Sequence, residues 1–450
     1  FNFTDTYTEF TLELVNITHL SRRVEVDVAF SNAENQPEGR RSFEVTVGGK
    51  EVKHQSFEMD FSQYGFHYLE TIVKDADTGQ VYMNNKFRFA VMRAPQDGLK
   101  NPKMGFADHT PHGHGINEME RKIALLGDMG ISYLRSDYDQ PSMMETGTLE
   151  INDLFNRYSE ALAANDMGSL AILVTGKYPP RTEAEFAEWD KYVEATVNHF
   201  KGTKTWYEVW NEYNIPGFNY NNATPEDYAK MLQHTYTIIK RIDPSVAVCG
   251  LAFAPATKPS YEVDWEEWIR MVLEAGGGDY MDIASVHLYT HNVPEDFSSA
   301  RGKIIPVTRA MLDEFGYEDM KIITSEMGWS TKGDVDEDSQ ASYVIRYMTL
   351  VYNSLDKVTW YVDQDKQSTS ESENGYGMMR AWTRGFTDGY EPYAVKPSMM
   401  ALSNWNALMT GAVCHGEVNI GNQDTLGYQF SLPDGKEALV IWSQTDTPTT

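Results

Sequence analysis

From about residue 101 onward, short strand-like runs alternate with helical stretches eight times, and this repetition constrains the fold more than any other feature. The strand candidates fall at 103–106, 132–135, 170–175, 206–210, 247–251, 283–288, 321–325 and 357–362. A strict βα series requires right-handed crossovers and a parallel sheet. Eight units over roughly 310 residues fit a (β/α)8 TIM barrel, which takes about 250 residues before loop insertions. The clearest helix is expected over 224–242, where Tyr228, Met231, Leu232, Thr235, Ile239 and Ile242 share one face. Thr224-Pro225-Glu226-Asp227 supplies its start, with proline in the first turn, and Pro244 follows its end.

Ahead of this series the texture differs. Arg23-Val24-Glu25-Val26-Asp27-Val28-Ala29-Phe30 and Ser42-Phe43-Glu44-Val45-Thr46-Val47 alternate with period two between turn residues, up to a break at Met92-Arg93-Ala94-Pro95-Gln96-Asp97-Gly98. The 450 residues exceed what one hydrophobic core supports. Residues 1–98 read as an N-terminal β-sandwich, 99–410 as the barrel, and 411–450 as a short C-terminal β segment. That last segment either completes the first sandwich or begins a second.

A formal net charge of -28 without a Lys/Arg stripe argues against nucleic acid or an anionic membrane surface as partner. No apolar run approaches the roughly 18 residues needed to span a bilayer. The two cysteines, Cys249 and Cys414, are too few for a disulfide framework or a thiolate metal site and are expected as free thiols. Asn2, Asn16 and Asn222 open N-x-Thr triplets, which matter only in a eukaryotic secretory route. The chain opens on Phe1, without a start methionine or leader, as a processed chain would.

Two strand-like runs end in glutamate: Trp206-Tyr207-Glu208-Val209-Trp210-Asn211-Glu212 and Lys321-Ile322-Ile323-Thr324-Ser325-Glu326. Functional residues of such barrels come from the C-terminal strand ends, so Glu212 on the fourth strand and Glu326 on the seventh face each other across one mouth. Cleavage of a glycosidic bond needs such a pair. One carboxyl protonates the departing oxygen, while the other, ionised, attacks or stabilises the oxocarbenium-like carbon. At about 5–5.5 Å they leave room for direct attack but not for an intervening water, and anomeric configuration is retained. Glu208 is expected on the same side of a regular strand as Trp210 and Glu212, as a buried charge partner.

Trp210-Asn211-Glu212 and Thr324-Ser325-Glu326-Met327-Gly328-Trp329 resemble the corresponding strand ends of the clan A glycoside hydrolases. The resemblance spans roughly 101–410 and is similar in parts to families 39 and 5. It implies a retaining β-glycoside hydrolase with Glu212 as acid/base and Glu326 as nucleophile. It further implies that Asn211 holds the substrate's 2-hydroxyl, that Arg135 orients and ionises the nucleophile, that His287 and Tyr289 hydrogen-bond near it, and that Trp360 forms the sugar platform. Tyr213 departs from the pattern, standing where several clan families have proline.

Trp329, Trp382, Tyr178 and Tyr289 are further candidates for stacking on pyranose faces, and the long loop 364–393 for shaping a cleft. The acidic run from Asp334 to Asp338 is expected to start a solvated helix rather than to bind calcium. Two other readings stand beside the glutamate pair. His109, His112 and His114, with Asp108, cluster after the first strand, where a barrel hydrolase can hold a divalent metal; otherwise His109 lines the substrate loop. A non-catalytic carbohydrate-binding protein would keep the aromatic platforms without needing both acids. The glutamate reading calls for no cofactor or metal. It takes a polysaccharide or oligosaccharide as substrate and places the protein outside the cytoplasm, secreted or periplasmic.

Overall fold

The computed structural model describes residues 2–4, 7–61, 63–112, 118–255, 264–290, 293–296, 303–366, 374–381 and 394–445. Seven strands come first: β1 (Asn2–Phe3), β2 (Tyr7–Val15), β3 (Arg22–Asn32), β4 (Pro37–Val47), β5 (Val52–Asp60), β6 (Gly65–Asp75) and β7 (Val81–Val91). They form a sheet of order β1-β7-β6-β3-β4 and a two-stranded ribbon, β2-β5. The period-two alternation sends Val24, Val26, Val28 and Phe30 of β3 to one side, where they meet Phe10 and Phe57 of the ribbon in a sandwich core of their own. Phenylalanine fills this core, with the rings of Phe10 and Phe30 5.1 Å apart.

Eight parallel strands then close a barrel: β8 (Asn101–Ala107), β9 (Ile131–Asp137), β10 (Gly168–Leu173), β11 (Thr205–Val209), β12 (Val248–Phe253), β13 (Ile283–His287), β14 (Lys321–Met327) and β15 (Lys357–Trp360). β15 pairs with β8 and so completes the ring. The expected amphipathic helix is Pro225–Ile242, started by a reciprocal capping box. The Asp227 N–H donates to Thr224 Oγ1 (3.2 Å), and Asp227 Oδ2 accepts from the Thr224 N–H (2.9 Å).

The barrel interior is layered. Tyr133, Leu170, Cys249, Ile283 and Ile323 form an apolar plug with Trp206. Tyr133 fits only because Gly105 faces it, where a Cβ would lie 2.4 Å from the ring. Two residues further along each strand, on the same face, polar groups replace the plug: Arg135 after Tyr133, Glu208 after Trp206, Ser285 after Ile283 and Ser325 after Ile323. The plug therefore forms a dry floor under a polar layer at the C-terminal strand ends.

The last strands, β16 (Val413–Glu417), β17 (Thr425–Ser431) and β18 (Glu437–Ser443), form a separate antiparallel sheet. They do not join the N-terminal sandwich. Phe430 packs on Tyr352 (5.3 Å) and Trp405 (5.9 Å), which belong to the helical layer of the barrel. The N-terminal sheet is docked as well: Ala90 and Met92 are buried in the main core, and Ser403 Oγ donates to the Arg93 carbonyl (2.5 Å). Both cysteines are free. Among the described residues no helix is long and apolar enough to cross a membrane.

Candidate active site

A cavity of about 620 Å³ opens at the C-terminal strand ends, and its lining includes Arg135, Asn211, Glu212, Tyr289, Glu326, Trp329 and His109. Seven of the predicted site residues thus share one wall system. His287 lies directly beneath, fully buried, and joins them by hydrogen bonds.

The glutamate of the fourth strand gets there through a break in the strand. β11 ends at Val209, and Trp210 (φ 66°) and Glu212 (φ 44°) adopt left-handed conformations that L-residues rarely use. The Trp210 indole turns outward against Trp189 (6.0 Å), Glu212 turns to the cavity, and the Glu212 N–H is tied to the Ala252 carbonyl (2.9 Å). Strain held by surrounding packing is typical of functional strand ends. Tyr213, where a proline was the clan expectation, packs its ring on Tyr228 (4.8 Å) and so fixes this turn from behind.

Arg135 is the hub. Its Nε (2.8 Å) and Nη2 (2.5 Å) both donate to Glu208 Oε1, Nη2 also donates to Asn211 Oδ1 (2.8 Å), and Nη1 donates to Glu326 Oε1 (2.7 Å). The planar guanidinium has enough donors in a fixed fork to hold three partners at once. Tyr289 OH donates to Glu326 Oε2 (2.8 Å), so each oxygen of Glu326 accepts one bond. Nδ1 of His287 lies 2.8 Å from Glu212 Oε1 and 3.7 Å from Glu326 Oε2. Oxygens of the two carboxyls, and a His287 nitrogen, all lie within 4.8 Å of one another. Three such atoms could ligate a cation, and among the described residues no other His, Cys, Asp or Glu group of this kind is found. Here, however, Arg135 and Tyr289 already neutralise and orient Glu326.

The electrostatics follow from this packing. Burial pushes the Glu326 carboxyl up, but the charges of His287 and Arg135 and the hydrogen bonds from Tyr289 and Arg135 outweigh it and hold the group at about 2. Burial lowers His287, yet Glu326 and Glu212 together raise it above its ordinary value. Burial and the Glu326 charge push the Tyr289 phenol well up, keeping it a neutral donor.

Other expectations need correction. Trp360 is no platform: it is 1% exposed and points away from the cavity, packed on Trp329 (5.7 Å) with Nε1 donating to the Tyr376 carbonyl (3.2 Å). Strand alternation is the reason, since the next residue, Tyr361, takes the inward direction and lines the cavity with Tyr376. Glu208 is the expected buried partner, 0% exposed, but it does not share a side with Trp210, because the strand is no longer regular there. Tyr178 is 65% exposed and lies outside the cavity, against Tyr220. The histidines diverge: His109 faces the cavity near Tyr361 (6.0 Å), while His112 Nε2 is bonded to the Asp137 carbonyl (2.8 Å). His114 and Trp382 lie outside the described residues. Asp336 caps the helix Glu337–Leu350, accepting from Ser339 N (2.7 Å) as the acidic run suggested, while its neighbour Asp334 reaches the cavity.

Sequence reasoning missed Tyr361, Tyr376, Asp137 and the serine pair Ser285 and Ser325. Period two from Arg135 would have found Asp137, and period two from the plug the serines; Tyr376 comes from a loop without any periodic signal.

No family model and no curated protein sequence matches the chain. Among solved structures it is similar to a family 39 glycoside hydrolase from the gut symbiont Bacteroides cellulosilyticus WH2, with a TM-score of 0.69 and 17% identity over 96% of this chain and 90% of that one. It is also similar to a glucosidase from Croceicoccus marinus, with a TM-score of 0.51 and 15% identity, covering 75% of this chain and 77% of that one. At these identities the likeness shows the fold, a (β/α)8 barrel carrying accessory β-sheets.

Proposed function

We propose that this protein is a retaining β-glycoside hydrolase that cleaves a β-linked polysaccharide or its oligosaccharides, with Glu326 as nucleophile and Glu212 as acid/base. The observation that carries the reading is the approach of the two carboxyls, whose oxygens come within 4.8 Å at one cavity. Inverting enzymes separate their carboxyls by about 6.5–9.5 Å to admit a water, and retaining ones by about 5–5.5 Å. The solved structures of similar fold include a family 39 glycoside hydrolase and a glucosidase, in keeping with this chemistry.

In the first step Glu212 gives its proton to the glycosidic oxygen while an oxygen of Glu326 attacks the anomeric carbon. The bond to the leaving group breaks and a glycosyl ester forms. In the second step Glu212 takes a proton from water, whose oxygen displaces Glu326 and frees the sugar with retained configuration. Arg135 and Tyr289 hold the Glu326 charge that the first step consumes and the second restores. With its Oδ1 engaged by Arg135, Asn211 offers its NH2 to the substrate's 2-hydroxyl. Tyr289, Tyr361, Tyr376 and Trp329 supply the aromatic wall that sugar faces pack on. A polymeric substrate of this class places the enzyme outside the cytoplasm, secreted or periplasmic.

The test is hydrolysis of a panel of β-linked polysaccharides and aryl glycosides by the wild type and by Glu326→Ala with added azide. We expect kcat to fall by at least about 10³-fold in the variant. Azide should restore turnover of the aryl glycoside as a glycosyl azide of inverted configuration. Undiminished activity of Glu326→Ala would remove the two-glutamate mechanism.

A further inference from the structure

The proposed mechanism leaves four buried groups unused, and they form a continuous chain. Glu208 Oε2 lies 2.9 Å from Ser285 Oγ, Ser285 Oγ lies 2.5 Å from Ser325 Oγ, and Ser325 Oγ lies 3.1 Å from His287 Nε2. On its other side His287 Nδ1 meets Glu212 Oε1 at 2.8 Å. All four of these side chains are fully buried in the polar layer above the barrel plug.

Such a chain has a polarity that can be worked out from its ends. Glu208 is paired with Arg135 through Oε1, and as a carboxylate it only accepts. Ser285 Oγ is placed to donate to either Glu208 Oε2 or Ser325 Oγ, and its one hydroxyl proton goes to the carboxylate, the stronger acceptor and one that has no proton to offer in return. The short Ser285–Ser325 contact then needs a proton from Ser325. With that proton committed, Ser325 can only accept from the imidazole, so the proton between them sits on His287 Nε2. Nδ1 is left as the one nitrogen of the ring that gains and loses a proton, and it faces the acid/base. The charged and titratable groups around the ring are Glu212, Glu326, Arg135 and Tyr289.

We infer that Glu208 is a positioning residue for both proposed catalytic acids. Through Arg135 it aims Glu326, and through Ser285 and Ser325 it locks the Nε2–H form of His287, so that one titratable proton is shared between His287 Nδ1 and Glu212. The step is a proton exchange between those two atoms, with no other co-reactant. The pairing with Glu212 as acid/base rests on the proposed function; the lock on Nε2 does not.

The experiment reads the imidazole nitrogens of the uniformly ¹⁵N-labelled full chain by long-range ¹H–¹⁵N correlation, from about pH 5 to about pH 9 to bracket the ordinary histidine range. His287 signals are identified by their loss in His287→Gln. Nε2 is expected to keep the shift of a protonated nitrogen throughout while Nδ1 moves. In Ser285→Ala the Ser325 proton is released to point at the ring, and Nε2 is expected to move toward the unprotonated shift at high pH. Ser325→Ala, which removes the acceptor itself, serves as a second variant with the same expectation. In both, kcat/KM toward glycosides with poor leaving groups should fall about tenfold while activated aryl glycosides are spared and KM is held, as for a weakened general acid. An Nε2 that titrates in the wild type, or that is unmoved in both serine variants, overturns the inference. If Nε2 behaves as expected but the wild type hydrolyses no glycoside, the lock stands and the proposed reaction falls. If the protein is an active glycosidase with a titrating Nε2, the reverse holds.

Discussion

Arg135 illustrates how one residue type decides a site. It is 3% exposed and bridges Glu208, Asn211 and Glu326, which asks for a planar fork of donors rather than a point charge. Lysine keeps the charge but not the fork. Arg135→Lys is expected to lower kcat/KM by about 10²-fold, comparable to loss of one fixed donor at a developing charge. The sign of its pH effect follows from Glu326. A carboxyl depressed to about 2 in the folded protein stays ionised as pH falls past the ordinary glutamate range. Weakening its partner should raise the acid limb of the kcat/KM profile toward about 4.3, the ordinary value, and a pH–rate titration of the variant checks it. An acid limb unmoved in Arg135→Lys would show that Arg135 does not set the ionisation of Glu326. Glu326 was legible in the sequence as a strand-end carboxylate, and Arg135 and Asn211 through the resemblance to the clan A strand ends. The bond from Arg135 to Glu208 was not, because period two shows only that Glu208 is buried, and the closure of the barrel decides which cation it meets.

At the scale of elements, the first and eighth strands are joined by a buried charge cluster. Lys122 Nζ, from the helix Met119–Asp128, contacts Asp108 after β8 (2.7 Å) and Asp363 after β15 (2.5 Å). One ammonium serves two fully buried carboxylates. Burial, and the Asp108 charge set against the pull of Lys122, raise Asp363 to about 7, while Lys122 and its hydrogen bonds hold Asp108 down against its own burial. A raised carboxyl binds its proton more tightly in the folded than in the unfolded chain. Its contribution is therefore fully present below about pH 4, the ordinary aspartate range, and is lost as pH rises through about 7. Asp363→Asn cannot ionise, so the variant should gain on the wild type by on the order of 1–3 kcal/mol between pH 4 and pH 8. Denaturant unfolding at the two pH values measures it, and equal pH slopes for the two proteins would exclude Asp363 as the titrating group. Strand and helix positions came out of periodicity almost in place: 321–325 was expected where Lys321–Met327 is found. The cluster did not, because which carboxylates meet one lysine depends on barrel closure.

Over the whole molecule, both accessory β units contribute residues to the barrel's main apolar cluster, while the N-terminal sandwich also keeps a core of its own. Ala90 and Met92, at the exit of the N-terminal sheet, are fully buried in the barrel's cluster, and Phe430 of the last sheet belongs to the same cluster. We propose that the N-terminal sandwich braces the barrel. If so, the chain should unfold in a single calorimetric transition, and Met92→Ala should lower it by the equivalent of about 2–4 kcal/mol, as a buried methionine truncation does. Two separate transitions, with only the earlier one moved by Met92→Ala, would mean that the sandwich folds and melts on its own.

What the sequence determined by itself is what periodicity and end-of-strand chemistry encode. Eight βα units force a parallel closed sheet, period two makes a sandwich ahead of it, and two glutamates at the ends of the fourth and seventh strands point to one mouth. Each of these rests on a local signal, carried by a strand-like run or a strand end of about ten residues or fewer. The tertiary structure alone decided what depends on contacts between distant strands or on breaks in regularity. Left-handed backbone at Trp210 and Glu212 turns the indole out and the carboxylate in, against the alternation the sequence implied. One-residue parity at the end of β15 gives the cavity wall to Tyr361 and leaves Trp360 in the core. The hydrogen-bonded line from Glu208 to Glu212 passes through residues of three strands, and only a closed barrel brings them within reach of one another.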